Sequence, residues 1–204
     1  MLHTLNEQNI KPDVLLLQET WLQNDDQLSM LQIDGYTCIN KGYKCSHHGG
    51  LITYVKSKFE VNVLHICPEL QIWDGLFTEI VIKDNSKSKI IVGNVYKPPR
   101  DNNNYSNIQN FISEFEPVIN YLNNSKVEYL IGGDWNINLL KINERPAFSD
   151  FLDLMLNKGL CPKITFPTRF LTHSASLLDN IFCKISLKNI SKKKHLIPNM
   201  LNVK

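Results

Sequence analysis

Apolar positions along the chain follow two rhythms. The longer one, at three- and four-residue spacing, predicts helices over Leu2–Asn9, Ser106–Asn123 and Arg145–Lys158. The second of these aligns Ile108, Phe111, Ile112, Phe115, Val118, Ile119 and Leu122 on one stripe. The third aligns Phe148, Phe151, Leu152, Met155 and Leu156, and Gly159 follows where a helix stop belongs. The remaining apolar runs are short, rich in β-branched residues, and separated by Gly or Asn. They predict strands over Val14–Gln18, Tyr36–Asn40, Leu51–Val55, Glu60–Ile66, Leu76–Ile82, Lys89–Tyr96, Tyr129–Gly132 and Leu177–Phe182. Val14–Leu17 and Leu130–Ile131 are apolar at successive positions, so both faces of those strands need cover. This pattern predicts an α/β (α+β) fold of two packed mixed β-sheets flanked by helices. Asp101–Asn107, rich in Asn, reads as a surface loop.

Length adds that 204 residues suit one domain. No apolar run nears the roughly 20 residues of a membrane-spanning helix, so no membrane partner is expected. The N-terminus has no secretory pattern, and an intracellular protein, nuclear or cytoplasmic, is expected. Five cysteines (Cys38, Cys45, Cys67, Cys161 and Cys183) without a C-x-x-C pair fit reduced thiols rather than a disulfide framework or zinc site. Charge is unevenly placed. Residues 1–179 hold 16 basic and all 20 acidic side chains, whereas residues 180–204 hold six lysines and no acid. The body is therefore no basic nucleic-acid-binding block, and contact with nucleic acid would run through local patches or a metal.

Polar groups gather at strand ends. The strand Val14–Gln18 runs into Glu19-Thr20-Trp21, and an acid closing an apolar strand must be paired, hydrogen-bonded or metal-bound. A turn or cap is the competing reading. Tyr129–Gly132 runs through Gly133 into Asp134-Trp135-Asn136. In extended chain Asp134 and Asn136 share a face; an Asx turn is the alternative. The two glycines let backbone or ligand approach closely. Asn94 and Tyr96 also share a face, with Tyr96 either near a phosphate or a core tyrosine with a wet tip. Asp179 sits inside an apolar run and needs a partner.

Taken in order, Gln18-Glu19-Thr20-Trp21, Gly49-Gly50-Leu51, Asn94-Val95-Tyr96-Lys97-Pro98-Pro99, Gly133-Asp134-Trp135-Asn136 and Ser176-Leu177-Leu178-Asp179 resemble the endonuclease/exonuclease/phosphatase superfamily. The Glu-Thr-Trp-Leu and Tyr-Lys-Pro-Pro wording is most similar to the apurinic/apyrimidinic-type endonuclease domain of non-LTR retrotransposons. The resemblance implies a DNase I-like four-layer sandwich over residues 1–183, with residues 184–204 a basic, poorly ordered tail. It also implies a Mg²⁺- or Mn²⁺-dependent phosphodiester hydrolase that nicks DNA, expected as a monomer.

By the same resemblance Glu19 matches the metal ligand and Asp134 the residue that orients or deprotonates the attacking water. Asn136 matches the amide on a phosphate oxygen, Tyr96 the phosphate-contacting tyrosine, and Asp179 the acid that orients a catalytic His. Asn94, Ser176, Thr165 and Thr168 fall on the substrate side. Two family segments have no counterpart: an initial strand ending in Asn, and a closing Ser-Asp-His. The expectation is a domain incomplete at both termini, with weak or no activity; His195, without a preceding acid, does not take the catalytic role. The competing readings are a non-catalytic retroelement remnant and a same-fold phosphoesterase acting on a phospholipid or phosphoinositide.

Overall fold

The computed structural model describes residues 12–22, 25–42, 49–67, 72–82, 88–99, 105–184 and 200–203, with backbone alone at 25, 26 and 200–203. The expected helix Leu2–Asn9, His47, His48 and His195 lie outside these residues.

Twelve strands are assigned among the described residues: β1 (Val14–Gln18), β2 (Tyr36–Lys41), β3 (Leu51–Lys56), β4 (Glu60–Leu64), β5 (Asp74–Val81), β6 (Lys89–Tyr96), β7 (Glu128–Asp134), β8 (Leu160–Pro162), β9 (Arg169–Leu171), β10 (Ser174–Ser176), β11 (Asp179–Lys184) and β12 (Met200–Val203). The helices are α1 (Asp25–Ser29), α2 (Tyr105–Asn124) and α3 (Pro146–Asn157), with a 3₁₀ turn at Leu139–Lys141. One sheet runs β12-β1-β3-β2 and the other β4-β5-β6-β7-β11-β8; β9 and β10 form a separate hairpin. Both large sheets are mixed, since β1–β12 and β6–β7 are parallel and their other pairs antiparallel.

Strand alternation builds the layers. Val14, Leu16 and Val55 of the first sheet meet Ile80, Val92, Leu130 and Cys183 of the second. The alternate residues Leu15, Ile52 and Tyr54 face outward toward Leu28 of α1. On the far side, the stripe of α2 and the apolar face of α3 pack on Phe77, Ile91, Val95, Ile131 and Phe182. Trp135 anchors this layer, with its ring edge-on to Phe182 (5.3 Å, 89°) and its Nε1 donating to the Asn180 carbonyl at 3.1 Å. Such aromatic pairs each add about 1 kcal/mol beyond their buried area. Pro146 opens α3, and Gly159, at φ +80°, follows its end. Among the described residues no helix is long and apolar enough to cross a membrane.

The structure departs from the sequence pattern in two places. The strand expected over Leu177–Phe182 is broken. Leu177 and Leu178 leave the ladder because their carbonyls accept from Leu139 and Trp135, and their N–H groups are taken by Asn138 and Thr168 side chains. The Asn-rich loop is shorter than expected, because α2 already begins at Tyr105. Residues 200–203 form β12, which pairs in parallel with β1. An unpaired apolar strand edge offers a row of N–H and C=O groups, and β12 supplies partners for them.

Candidate functional site

The space between the sheets changes character along its length. At one end it is lined by Ile80, Val92, Leu130, Val14 and Val55. Toward the other end the inward positions become polar: Thr53, Thr78, Gln18 and Asn94, then Tyr96 and Asp134, all buried. Register places the last residues in rows. In the second sheet Asp74 pairs with Tyr96, Tyr96 with Asp134, and Asp134 with Asp179. In the first sheet Lys41 and Gln18 both pair with Leu51.

Asn94 joins the two rows. Its amide donates to the Leu17 carbonyl at 3.1 Å and the Ile52 carbonyl at 3.0 Å, and its Oδ1 accepts from Gln18 at 2.6 Å. It is fully buried. Asn94 shares a face with Tyr96 and ties β6 to β1 and β3. Lys41 makes a second crossing, donating to the Gly75 carbonyl at 2.8 Å.

Glu19 leaves β1 with a left-handed backbone, φ +55°, and Trp21 repeats it at φ +55°. Bulky residues rarely adopt this conformation. Gly49 and Gly50 hold it in place, their carbonyls accepting from Trp21 N–H at 3.4 Å and Thr20 N–H at 3.2 Å. A Cβ on Gly50 would stand 2.6 Å from Thr20 Oγ1, and both glycines hold positive φ, +117° at Gly49 and +87° at Gly50. So directed, the Glu19 carboxylate accepts a hydrogen bond from the Tyr96 hydroxyl on the opposite sheet. The Tyr96 ring is held between Leu51 and Leu76. Burial, the bond to Glu19, and the charges of Glu19, Asp134 and Asp74 push the Tyr96 phenol far up, so it stays protonated and donates.

Asp134 ends β7 beside Tyr96. Gly133 makes the approach of these strands close, since a Cβ there would lie 2.0 Å from the Val95 carbonyl oxygen. The pleat does not carry on to Asn136. That residue turns left-handed at φ +48°, and its N–H donates to Asp134 Oδ1 at 3.2 Å. Asp134 and Asn136 are brought together by an Asx-type turn, not by strand alternation. The Asn136 amide donates to the Lys97 carbonyl at 2.8 Å, and Lys97 N–H returns to the Asp134 carbonyl at 2.9 Å.

Asp179 is half-buried at the start of β11. Its N–H and that of Leu178 both donate to Thr168 Oγ1 at 3.3 Å. The Thr168 hydroxyl thus fastens the hairpin to the strand that carries Asp179. Ser176 is half-buried at the end of β10, its carbonyl accepting from Thr168 N–H at 2.9 Å. Thr165 is exposed before the hairpin, whose Phe170 and Leu171 are also exposed.

The sequence reading missed Asp74, Lys41, Asn138 and Asn180. Asp74 had a legible signal, since Asp74, Leu76, Thr78 and Ile80 alternate on one face of β5. Asn180 gathers the N–H groups of Lys163 and Ile164 at 3.1 and 3.2 Å, a capping task that has no one-dimensional mark.

Among the described residues no group of three or more His, Cys, Asp or Glu converges to hold a metal unaided. The donor set at this end is oxygen, led by the half-buried Glu19 carboxylate. It suits a hard cation that takes few protein carboxylates and keeps its waters, and it does not suit a closed zinc site.

Solved structures with the same fold act as a cross-check. A 3′-5′ exonuclease from Neisseria meningitidis superposes with a TM-score of 0.55 at 18% identity, over 90% of this chain and 82% of that one. A mannosyl-6-phosphatase from Bacteroides thetaiotaomicron gives 0.59 at 16% identity, over 90% and 74%. D. rerio TDP2 complexed with single strand DNA product gives 0.57 at 15% identity, over 92% and 76%. At such identities the likeness establishes the fold, the DNase I-like sandwich of two mixed sheets. No curated protein matches the chain. The model of the Endonuclease/Exonuclease/phosphatase family matches residues 2–198. With that match spanning nearly its whole length, the chain belongs to the endonuclease/exonuclease/phosphatase family.

Proposed function

We propose that the protein is a divalent-metal-dependent phosphodiester hydrolase domain that nicks DNA weakly, of the kind found in non-LTR retrotransposons, working inside the cell as a monomer. The observation that carries this reading is the hydrogen bond between Tyr96 and Glu19, made across the two sheets beside Asp134. Members of the family are in general divalent-metal dependent. Glu19 would hold a Mg²⁺ or Mn²⁺ ion, which supplies polarisation of the phosphate and offsets charge on the leaving oxygen.

The chain's own groups do the rest. Tyr96 keeps its proton and directs it at the Glu19 carboxylate, steadying the metal ligand. Asp134, fixed by the Asn136 N–H, orients or deprotonates the attacking water. The Asn136 amide supports a phosphate oxygen as charge grows there. Asp179, in register with Asp134, sets a second carboxylate at the same edge. DNA as substrate is supported by the Gln18–Trp21 and Asn94–Pro99 wording and by the exposed aromatic surface at this end.

The test is nicking of supercoiled plasmid in Mg²⁺, in EDTA, and with Glu19→Ala and Asp134→Ala. Mg²⁺-dependent nicking that falls by roughly 100-fold or more in either variant is expected. Phosphate release from mannose 6-phosphate without nicking would replace this reading with a phosphomonoesterase. Mg²⁺-dependent stabilisation with no turnover would mark a binding remnant.

A further inference from the structure

We infer that Cys161 and Cys183 form an oxidation site, joining under peroxide into a disulfide that clamps β8 to β11. The inference stands apart from the nuclease reading above. Both thiols are free in the structure. They are direct partners across the antiparallel β8–β11 pair. The pleat brings their side chains to one face. Leu160 packs on the helix side, so its neighbour Cys161 points the opposite way, toward the inter-sheet side that holds Cys183. The ladder sets their spacing. Lys163 N–H donates to the Ile181 carbonyl at 2.9 Å, which makes that pair a hydrogen-bonded one. Alternation then puts Pro162, which has no N–H to give, opposite Phe182 at a non-bonded position, and returns Cys161 and Cys183 to a bonded one. Opposed residues there have Cα atoms about 5.5 Å apart, within the ~4.4–6.8 Å that a disulfide spans. Among the described residues no other cysteine faces a cysteine in register: Cys38 pairs with Tyr54, and Cys67 lies outside the strands.

Exposure sorts the two roles. Cys161 is half-buried and within reach of a small solute, whereas Cys183 is 8% exposed. The Cys161 sulfur attacks a peroxide oxygen, the O–O bond breaks, and the distal oxygen leaves as water, giving a sulfenic acid. The Cys183 thiol then attacks that sulfur; the S–O bond breaks, and its oxygen leaves as a second water. The two thiols lose two protons and two electrons, and one hydrogen peroxide becomes two waters. Reduction by a thiol reverses the step. The bond closes the loop 161–183, which carries Thr168, the β9–β10 hairpin and Asp179. β8 is the outermost strand of its sheet, so one bond secures both that edge and the base of the loop.

The experiment oxidises the full chain with hydrogen peroxide, blocks the remaining thiols with iodoacetamide and cleaves with trypsin, which separates Gly159–Lys163 from Phe170–Lys184. Mass spectrometry is expected to find these two peptides joined, lighter by two hydrogens than their sum, and parted by dithiothreitol. Oxidation in urea is expected to scatter the pairing over the other cysteines. The melting temperature of the native chain is expected to rise by roughly 5–10 °C on oxidation, and to stay put in Cys161→Ser and Cys183→Ala. Recovery of both thiols as alkylated peptides, or of Cys161 in a higher oxidation state without the link, overturns the inference. So does a link that leaves the melting temperature unchanged. The link is read on the unsubstituted chain, so the test holds even where a variant fails to fold. No readout uses DNA or a metal ion, so failure of the nicking assay and failure of the cross-link are separate results.

Discussion

Tyr96 and Asp134 are adjacent partners across the parallel β6–β7 pair, and the Tyr96 hydroxyl crosses to Glu19 on the other sheet. One phenol thus links residues that are 77 positions apart in the chain. Tyr96→Phe keeps the ring between Leu51 and Leu76 and removes only the donor. The expected result is a loss of roughly 100-fold in kcat for plasmid nicking. One hydrogen bond is worth about 1 kcal/mol, so calorimetry should show the melting temperature falling by only about 2–4 °C.

Asn94 is expected to behave in the opposite way. Asn94→Ala leaves the Leu17 and Ile52 carbonyls and the Gln18 amide without their partner in the interior. Urea denaturation should show a loss of about 3 kcal/mol or more, summed over those groups. A substrate-contacting asparagine would give normal stability and a raised KM, and that outcome would refute the inter-sheet role.

Much of this was legible in one dimension. The unbroken apolar run Val14–Leu17 announced a strand covered on both faces, and its alternate residues do face the second sheet and α1. Glu19, Asp134 and Asn136 stand out in the sequence as acids or amides at the ends of apolar strands, while the roles assigned to them and to Tyr96 come from the family resemblance. The illegible part consists of side chains whose partners are backbone groups far along the chain. Thr168 and Asn94 look like surface-facing polar residues until the fold shows which N–H and carbonyl groups they serve. The three-residue strands β8, β9 and β10 are too short for any rhythm to register.

Alkali should unfold the protein through its tyrosines. Burial is the main cause that pushes the Tyr54 and Tyr129 phenols from 10.0 up to about 12, and the Tyr96 phenol moves the same way. A phenol with a raised folded value binds its proton more tightly when native. Its contribution is therefore complete below pH 10 and is lost as the pH rises toward 12. The urea midpoint should fall across that interval, in step with tyrosinate absorbance. A flat midpoint there would contradict the burial of these rings.

Gly133 has a consequence beyond local packing. The place of the Asp134 carboxylate relative to Tyr96 is set by a methyl group that is not there, since even alanine would press on the Val95 oxygen. Any replacement must prise β6 from β7 before it touches chemistry. The seat of the acid is thereby fixed by steric exclusion.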